Sequence, residues 1–465
     1  MTSYQTFLAS KQRVFEGDGI EVSPDALPAS LFPFQRDLTR YVLRKGRGAL
    51  FADCGLGKTP MQLAWAEQIA QAAGRALIIA PLTVAQQTIA EAEKFGIDGV
   101  EYARHQGDSA APIVITNYEM VEHFDPAQFA GVVLDESSIL KSYDGVYCKR
   151  LIAMFAETPY RLCCTATPAP NDVQEFANHA EFLGILSRVE MLATFFVHDD
   201  QGWRLKRHAV DAFYRWMASW GMAISRPSDL GYDDDGFVLP SLSIDAAIVP
   251  SDYVPEGQLF ATTLHGVSDR AAVRRGTLDA RVKRAAEIVF DDPDNQWIAW
   301  CGLNEESSSI AAALPGSVEV TGSMSPEEKT DRIRAFQRGD FRVLVTKVRI
   351  AGYGLNLQCA ARQVFVGLGD SYEQYYQAIR RSYRFGQTKP VVAHIVLSDL
   401  EQPIYTNVLR KEQEATDAQA ALIRHAVAYE RAEIVATRGR DPYNPQQTMR
   451  LPEWLCAEER IHASA

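Results

Sequence analysis

The chain predicts an α/β protein with two tandem parallel-sheet units, a helical extension between them and a C-terminal helical segment. Three observations lead there. Short, unbroken apolar runs alternate with amphipathic stretches between Leu50 and Ala166. The same rhythm returns between Trp297 and Leu397. A length of 465 residues is also too great for one typical core.

In the first unit, strands are expected at Gly48–Phe51, Ala76–Ala80, Ile113–Ile115, Gly131–Leu134 and Tyr160–Cys164. The second repeats them at Trp297–Trp300, Val318–Val320, Arg342–Val345, Val364–Val366 and Val391–Leu397. Runs without polar alternation imply strands covered on both faces, as in parallel sheets flanked by helices. The expected division is 1–30 as N-terminal segment, 31–189 as first lobe and 190–250 as helical extension and linker, followed by 251–400 as second lobe and 401–465 as helical brace and tail. In the extension, Trp203, Trp216 and Trp220 are read as packing anchors, since aromatics at helical spacing usually enter a core.

Apolar residues at 47% and charged residues at 23% are ordinary for a globular chain. The net charge of −12 excludes a generally basic surface but leaves room for a local basic lining. Seven cysteines without a C-x-x-C pair point to a reduced interior and no metal cluster. The polar N-terminus is no signal peptide, and no apolar run matches a membrane span. The expectation is a soluble protein of the cytoplasm.

Chemistry concentrates at Ala52-Asp53-Cys54-Gly55-Leu56-Gly57-Lys58-Thr59, set between an apolar strand and the helical pattern beginning at Pro60. Strand, glycine-rich turn, Lys-Thr and helix form a phosphate-binding loop. Gly55 and Gly57 allow backbone N–H groups to close on a triphosphate, Lys58 reaches the β/γ-phosphates and the Thr59 hydroxyl can ligate Mg²⁺. Ala52 replaces the first glycine of the usual pattern. The natural complement is an apolar strand ending in acids, which Leu134-Asp135-Glu136-Ser137 supplies. Asp135 would hold Mg²⁺, and Glu136 would orient or deprotonate the attacking water.

Further along come Thr165-Ala166-Thr167-Pro168, then Ala351-Gly352-Tyr353-Gly354-Leu355-Asn356-Leu357-Gln358, then the run Gln377 to Gln387. In this order the five segments resemble the motor of superfamily 2 helicases. The Arg381, Arg384, Gly386 and Gln387 pattern is similar to the Swi/Snf-like branch, in a compact bacterial or phage-type form. The likeness covers roughly residues 30–400. It implies two RecA-like lobes, ATP and Mg²⁺ as cofactors, and DNA, duplex or forked, as partner.

Position by position, the resemblance makes Gln35 the reader of the adenine edge. Pro81, Thr83 and Tyr118 become first-lobe contacts to the nucleic-acid backbone, and Thr165 and Thr167 the coupling motif. Gly352, Gly354, Asn356 and Gln358 become the second-lobe motif bordering nucleotide and nucleic acid, and Arg381 and Arg384 the groups reaching the phosphates, with Arg384 as the finger. A guanidinium supplied from another lobe would make hydrolysis conditional on closure.

Two departures stand out: Asp-Glu-Ser-Ser where eukaryotic relatives carry Asp-Glu-Ala/Gly-His, and Tyr353 between the glycines at 352 and 354. Additional grips on DNA are sought at Arg270, Arg274, Arg275, Lys283 and Arg284. The expected function is ATP-driven translocation on duplex DNA by a monomer, with fork remodelling or limited unwinding. Competing readings are an RNA-dependent helicase and an ATP-gated targeting subunit of a restriction or repair assembly, with a protein partner on the C-terminal helices.

Overall fold

A computed structural model describes residues 15–200, 202–251, 267–351 and 355–438. Among the described residues there are fifteen strands: β1 Arg47–Ala52, β2 Ala76–Ala80, β3 Val100–Tyr102, β4 Ile113–Asn117, β5 Gly131–Asp135, β6 Tyr160–Cys164, β7 Phe196–Asp199, β8 Gly202–Leu205, β9 Gly221–Ile224, β10 Leu242–Val249, β11 Trp297–Cys301, β12 Val318–Val320, β13 Val343–Lys347, β14 Arg362–Val366 and β15 Val391–Ser398. They form two separate parallel sheets and one small antiparallel ribbon, β7–β8. The first sheet runs β3-β4-β2-β5-β6-β1-β9 and the second β10-β15-β14-β11-β13-β12. This is the expected two-lobed α/β architecture.

The apolar runs owe their continuity to burial on both faces. Along β1 and β2, Ala49, Phe51, Leu77 and Ile79 enter one core, while Leu50, Ala52, Ala76 and Ile78 enter another. Helices cover both sides, including Pro33–Lys45, Lys58–Ala72 and Val210–Ala218. The second sheet is likewise sandwiched, with Ile298 and Trp300 on one face and Trp297 and Ala299 on the other. The adjacent Cys163 and Cys164 also point to opposite faces and remain free.

The segment 190–250, expected as a helical extension and linker, also contributes strands to both sheets: β9 completes the first beside β1, and β10 forms the edge of the second beside β15. The four-residue β9 follows the Trp216–Trp220 cluster, and its burial is fixed by β1 rather than by any local pattern. Trp216 and Trp220 are fully buried packing anchors, and Trp203 is partly buried against the same core. The single helix Gln402–Arg438 starts on the second lobe and packs across Val210–Ala218 and β9 of the first. Its Lys411 Nζ donates to Asn171 Oδ1 at 3.1 Å and to the Asp370 carbonyl at 3.3 Å. No described helix is long and apolar enough to cross a membrane.

A buried charge cluster roots that helix in the second lobe. Glu306 accepts from Arg274 Nη2 at 2.6 Å and from Arg281 Nη1 at 3.1 Å, and Arg281 also faces Glu401 at 3.3 Å. Arg281, Glu306 and Glu401 have no exposed side-chain surface. Arg274, expected to grip DNA, is spent in this cluster instead: its side chain is only 11% exposed and its guanidinium is bonded to the buried Glu306 carboxylate. Of the other candidate grips, Arg275, Lys283 and Arg284 are exposed, Arg284 paired with Glu287, and the Arg270 side chain lies outside the described residues.

Removing one member of a buried cluster strands the others. Glu306→Gln is therefore expected to destabilise the chain by about 3–5 kcal/mol, against at most about 0.5 kcal/mol for Glu287→Gln at the exposed pair. Urea midpoints of the two variants check this, and equal shifts would contradict the assignment.

Candidate nucleotide site between the lobes

Three neighbouring strands of the first sheet, β5, β6 and β1, end side by side. Their carboxyl ends carry Asp135, Thr165 and the turn Asp53–Gly57, so segments far apart in sequence meet at one edge, the usual location of ligand sites in parallel sheets. Gly55 and Gly57 both have positive φ, +91° and +78°. Each glycine also has a steric reason. A Cβ at Gly57 would lie 2.2 Å from Gln35 Nε2, and one at Gly55 would lie 2.6 Å from the backbone nitrogen of Phe385, in the second lobe.

Lys58 opens its helix and donates to the carbonyls of Ala52 at 2.9 Å and Asp53 at 3.4 Å. Gln62, one turn on, donates to Asp135 Oδ1 at 2.7 Å, linking the turn to the acidic strand end. Gln35 is fully engaged: its Nε2 donates to the Leu56 carbonyl at 2.9 Å and its Oε1 accepts from Phe32 N at 3.0 Å. It thereby fixes the loop as well as lining the cleft.

Glu136 is the one non-glycine with positive φ among the described residues, at φ 54° and ψ 53°. Left-handed backbone costs such a residue about 1–2 kcal/mol, and it turns the chain sharply after β5. Burial raises the pKa of both Asp135 and Glu136; Gln62 and Lys58 oppose the rise at Asp135, and Lys58 opposes it at Glu136. Tyr118, expected on the nucleic acid, is a correction. The residue is 4% exposed and its hydroxyl donates to the Asp135 carbonyl at 2.6 Å, so it buttresses the acidic loop from beneath. Thr165 and Thr167 are buried at the end of β6, with Thr167 N bonded to Thr165 Oγ1 at 3.1 Å. Pro81 precedes the helix Leu82–Phe95; the side chain of Thr83 lies outside the described residues.

The second lobe closes the cleft. Lys58, Thr59, Asp135 and Glu136 line it with Asn356, Gln358, Arg381 and Arg384, enclosing a cavity of about 440 Å³. The two second-lobe motifs are stitched together. Leu357 N donates to the Arg381 carbonyl at 3.0 Å, Arg381 Nη1 to the Leu355 carbonyl at 3.4 Å, and Gln387 Nε2 to the Gln358 carbonyl at 3.0 Å. The Gln358 amide holds the carbonyls of Arg384 and Phe385. Gly352 and Gly354 lie outside the described residues. Burial, and after it Arg381, lowers the pKa of Arg384, while Cys54 and Glu91 oppose the fall.

Several residues at this seam escaped the sequence reading. Arg380 Nη2 reaches Asp53 Oδ2 at 3.0 Å, and the Tyr376 hydroxyl reaches the other oxygen. Burial disfavours the Arg380 charge, yet Asp53 and its neighbours outweigh it, and the net pKa lies above the ordinary arginine range. Phe32, Phe237 and Phe385, from three distant segments, cluster at the cleft rim with centroids 4.6–6.3 Å apart. The signal for Arg380 was available as the doubled arginine at 380–381.

The donor set fits Mg²⁺-bound ATP: a lysine already coordinated by carbonyl oxygens, a hydroxyl at a helix N-terminus, buried acids and cradle glycines with no room for a Cβ. Bound there, ATP would supply the scissile phosphoanhydride and Mg²⁺ the neutralising charge. Lys58, Thr59 and Asp135 would hold them. Glu136 would then orient or accept a proton from water, and Arg381 and Arg384 would bring positive charge from the opposite lobe.

Fold and cleft define an ATP-hydrolysing helicase motor. The sequence matches the SNF2-related domain over residues 34–195 and the helicase conserved C-terminal domain over 294–386, and the chain belongs to the SNF2-related, Swi/Snf-like helicases of superfamily 2, a class of DNA-dependent ATP hydrolases. It is 22% identical to a "Probable global transactivator" of Orgyia pseudotsugata multicapsid polyhedrosis virus, over 91% of this chain and 98% of that one. It is 31% identical over 93 residues to the DNA repair protein RAD5 of Yarrowia lipolytica, covering 20% of this chain and 9% of the relative. Mouse DNA annealing helicase and endonuclease ZRANB3 is 22% identical, over 85% of this chain and 41% of its own length. The chain thus spans nearly all of the viral relative but less than half of the other two. A solved Sulfolobus solfataricus SWI2/SNF2 ATPase core in complex with dsDNA aligns with a TM-score of 0.43 and 19% identity, over 86% of this chain and 96% of that one.

Elsewhere in the first lobe, Glu175 gives a pH signature. Burial pushes its carboxyl up to about 7, against hydrogen bonds from Asn171 N at 3.1 Å and Nδ2 at 2.9 Å. Its contribution to stability is whole below the ordinary value of 4.5 and is lost as pH rises through about 7. The loss is expected to total about 3 kcal/mol. Glu175→Gln should flatten that part of the stability–pH curve, and an unchanged curve would contradict the burial argument.

Proposed function

We propose that the chain is an ATP-driven translocase on duplex or forked DNA. Closure of the two lobes around ATP and reopening after hydrolysis would alternate the grip of each lobe on one backbone strand. The observation that carries this reading is a single cleft lined by Lys58 and Thr59, Asp135 and Glu136, and Arg381 and Arg384, the last pair from the other lobe. A site divided in this way ties turnover to interlobe movement, which a self-contained hydrolase has no need of. Repair and annealing activities named for two relatives favour DNA as partner. Grip by phosphate contacts makes binding insensitive to sequence and sensitive to salt. The protein would act as a compact monomeric motor in the cytoplasm, with Mg²⁺ as its cation, and remodel forks rather than separate long duplexes.

An ATPase titration with duplex DNA, forked DNA, single-stranded DNA and RNA tests this. Duplex or forked DNA should stimulate turnover most, and Lys58→Ala should abolish it. Arg384→Ala should retain nucleotide binding and lose hydrolysis by roughly 10³-fold or more, in keeping with a finger supplied to the transition state. Greatest stimulation by RNA, or turnover that survives Lys58→Ala, would sink the proposal.

A further inference from the structure

The helix Tyr372–Ile379, with Arg380 at its C-cap, directly precedes the two cleft arginines. Glu373, Tyr376, Gln377 and Arg380 stand at i, i+3, i+4 and i+7, which places them on a single face. That face meets the first lobe at two points. At one end Glu373, only 4% exposed, accepts from Ser138 Oγ at 2.6 Å and pairs with Lys141. At the other, Arg380 and Tyr376 both hold the Asp53 carboxylate. Gln377, between them, is buried, and its amide makes no hydrogen bond among the described residues.

The two points of contact are the two loops on which the site depends. Asp53 opens the phosphate-binding turn, and its backbone carbonyl is also a partner of Lys58. Ser138 and Lys141 follow directly on Asp135 and Glu136. Arg380 itself is held rigidly, its guanidinium lying 4.9 Å from the ring of Tyr376 and 5.2 Å from that of Tyr383. Arg381 and Arg384 follow within about one helical turn, so their placement relative to both loops is inherited from this face.

We propose that this face is an interlobe clasp: Asp53–Arg380 and Ser138/Lys141–Glu373 fix the register in which Arg381 and Arg384 face the triphosphate site. The proposal rests on the reading of the cleft as an ATPase site and adds the element that aligns it. Arg380 and Glu373 are positioning residues: they touch the loops that carry the phosphate- and metal-binding groups. A displacement of about 1 Å at a reacting centre costs on the order of 100-fold in rate, which makes such alignment worth a dedicated contact. The clasp also accounts for the serine at the fourth position of Asp-Glu-Ser-Ser. A hydroxyl there reaches the Glu373 carboxylate, which connects the acidic loop to the second lobe.

The test uses the full chain with ATP and duplex DNA and compares Asp53→Asn, Arg380→Gln, the double variant and Arg380→Lys. Each single variant should lower kcat about tenfold while KM for ATP stays within about twofold, and the double variant should be no slower than either single, since one bond is lost in all three. Arg380→Lys should recover part of the loss, because charge is kept while the planar fork is not. Small-angle scattering without nucleotide should show a more extended particle for Asp53→Asn/Arg380→Gln/Glu373→Gln than for the wild type.

Wild-type kcat in both single variants, or single losses that multiply to about 100-fold in the double variant, would overturn the clasp. A rise in KM confined to Arg380→Gln would overturn it as well, by making Arg380 a direct phosphate ligand. If the wild type shows no Lys58-dependent turnover, the ATPase reading fails by itself. The scattering comparison then decides the clasp, and identical profiles refute it.

Discussion

Everything in this molecule depends on a close approach between two backbones, the turn Asp53–Gly57 of one lobe and residues 380–386 of the other. At Gly55 there is no space for a side chain, because the Phe385 nitrogen would lie 2.6 Å from its Cβ. That contact carries Arg381 and Arg384 to within the same cleft as Lys58 and Glu136. Phosphoryl transfer needs little covalent assistance and a great deal of placed charge, so the precision of this seam governs the chemistry.

The sheets make such precision attainable. Parallel strands buried on both faces leave little freedom to slide, and the functional groups sit where β5, β6 and β1 end side by side. In the second lobe, the Arg274–Arg281–Glu306–Glu401 cluster performs the equivalent task for the long C-terminal helix. The helix is rooted there and lies against the first lobe, where His425 stacks on Tyr214 and Gln419 Nε2 reaches Ser225 Oγ at 3.2 Å. It is a tether across the seam as well as a brace.

What could be seen in the sequence followed from burial. Runs such as Ala76–Ala80 and Trp297–Trp300 are apolar on both faces and announce themselves as strands; β10, at a sheet edge, is mostly half-exposed or exposed and does not. Similarly β3 and β9, three and four residues long, carry too little pattern to stand out. Lys58, Asp135, Glu136, Arg381 and Arg384 stood out because their spacing obeys local motifs. Asp53 and Arg380 are 327 positions apart and obey none, so only the folded chain joins them. Tyr118 and Arg274 misled for the opposite reason. Each has a polar tip that looks available in sequence, and each is buried against a partner from another element, Asp135 for one and Glu306 for the other.

The central claim is that both lobes act on one nucleotide. A crystal structure of the chain with a non-hydrolysable ATP analogue, Mg²⁺ and duplex DNA tests it most directly. The triphosphate is expected to be contacted from one side by Lys58 and Thr59 and from the other by Arg381 and Arg384. A nucleotide held by the first lobe alone, with both arginines directed away from it while DNA is bound, would contradict the account.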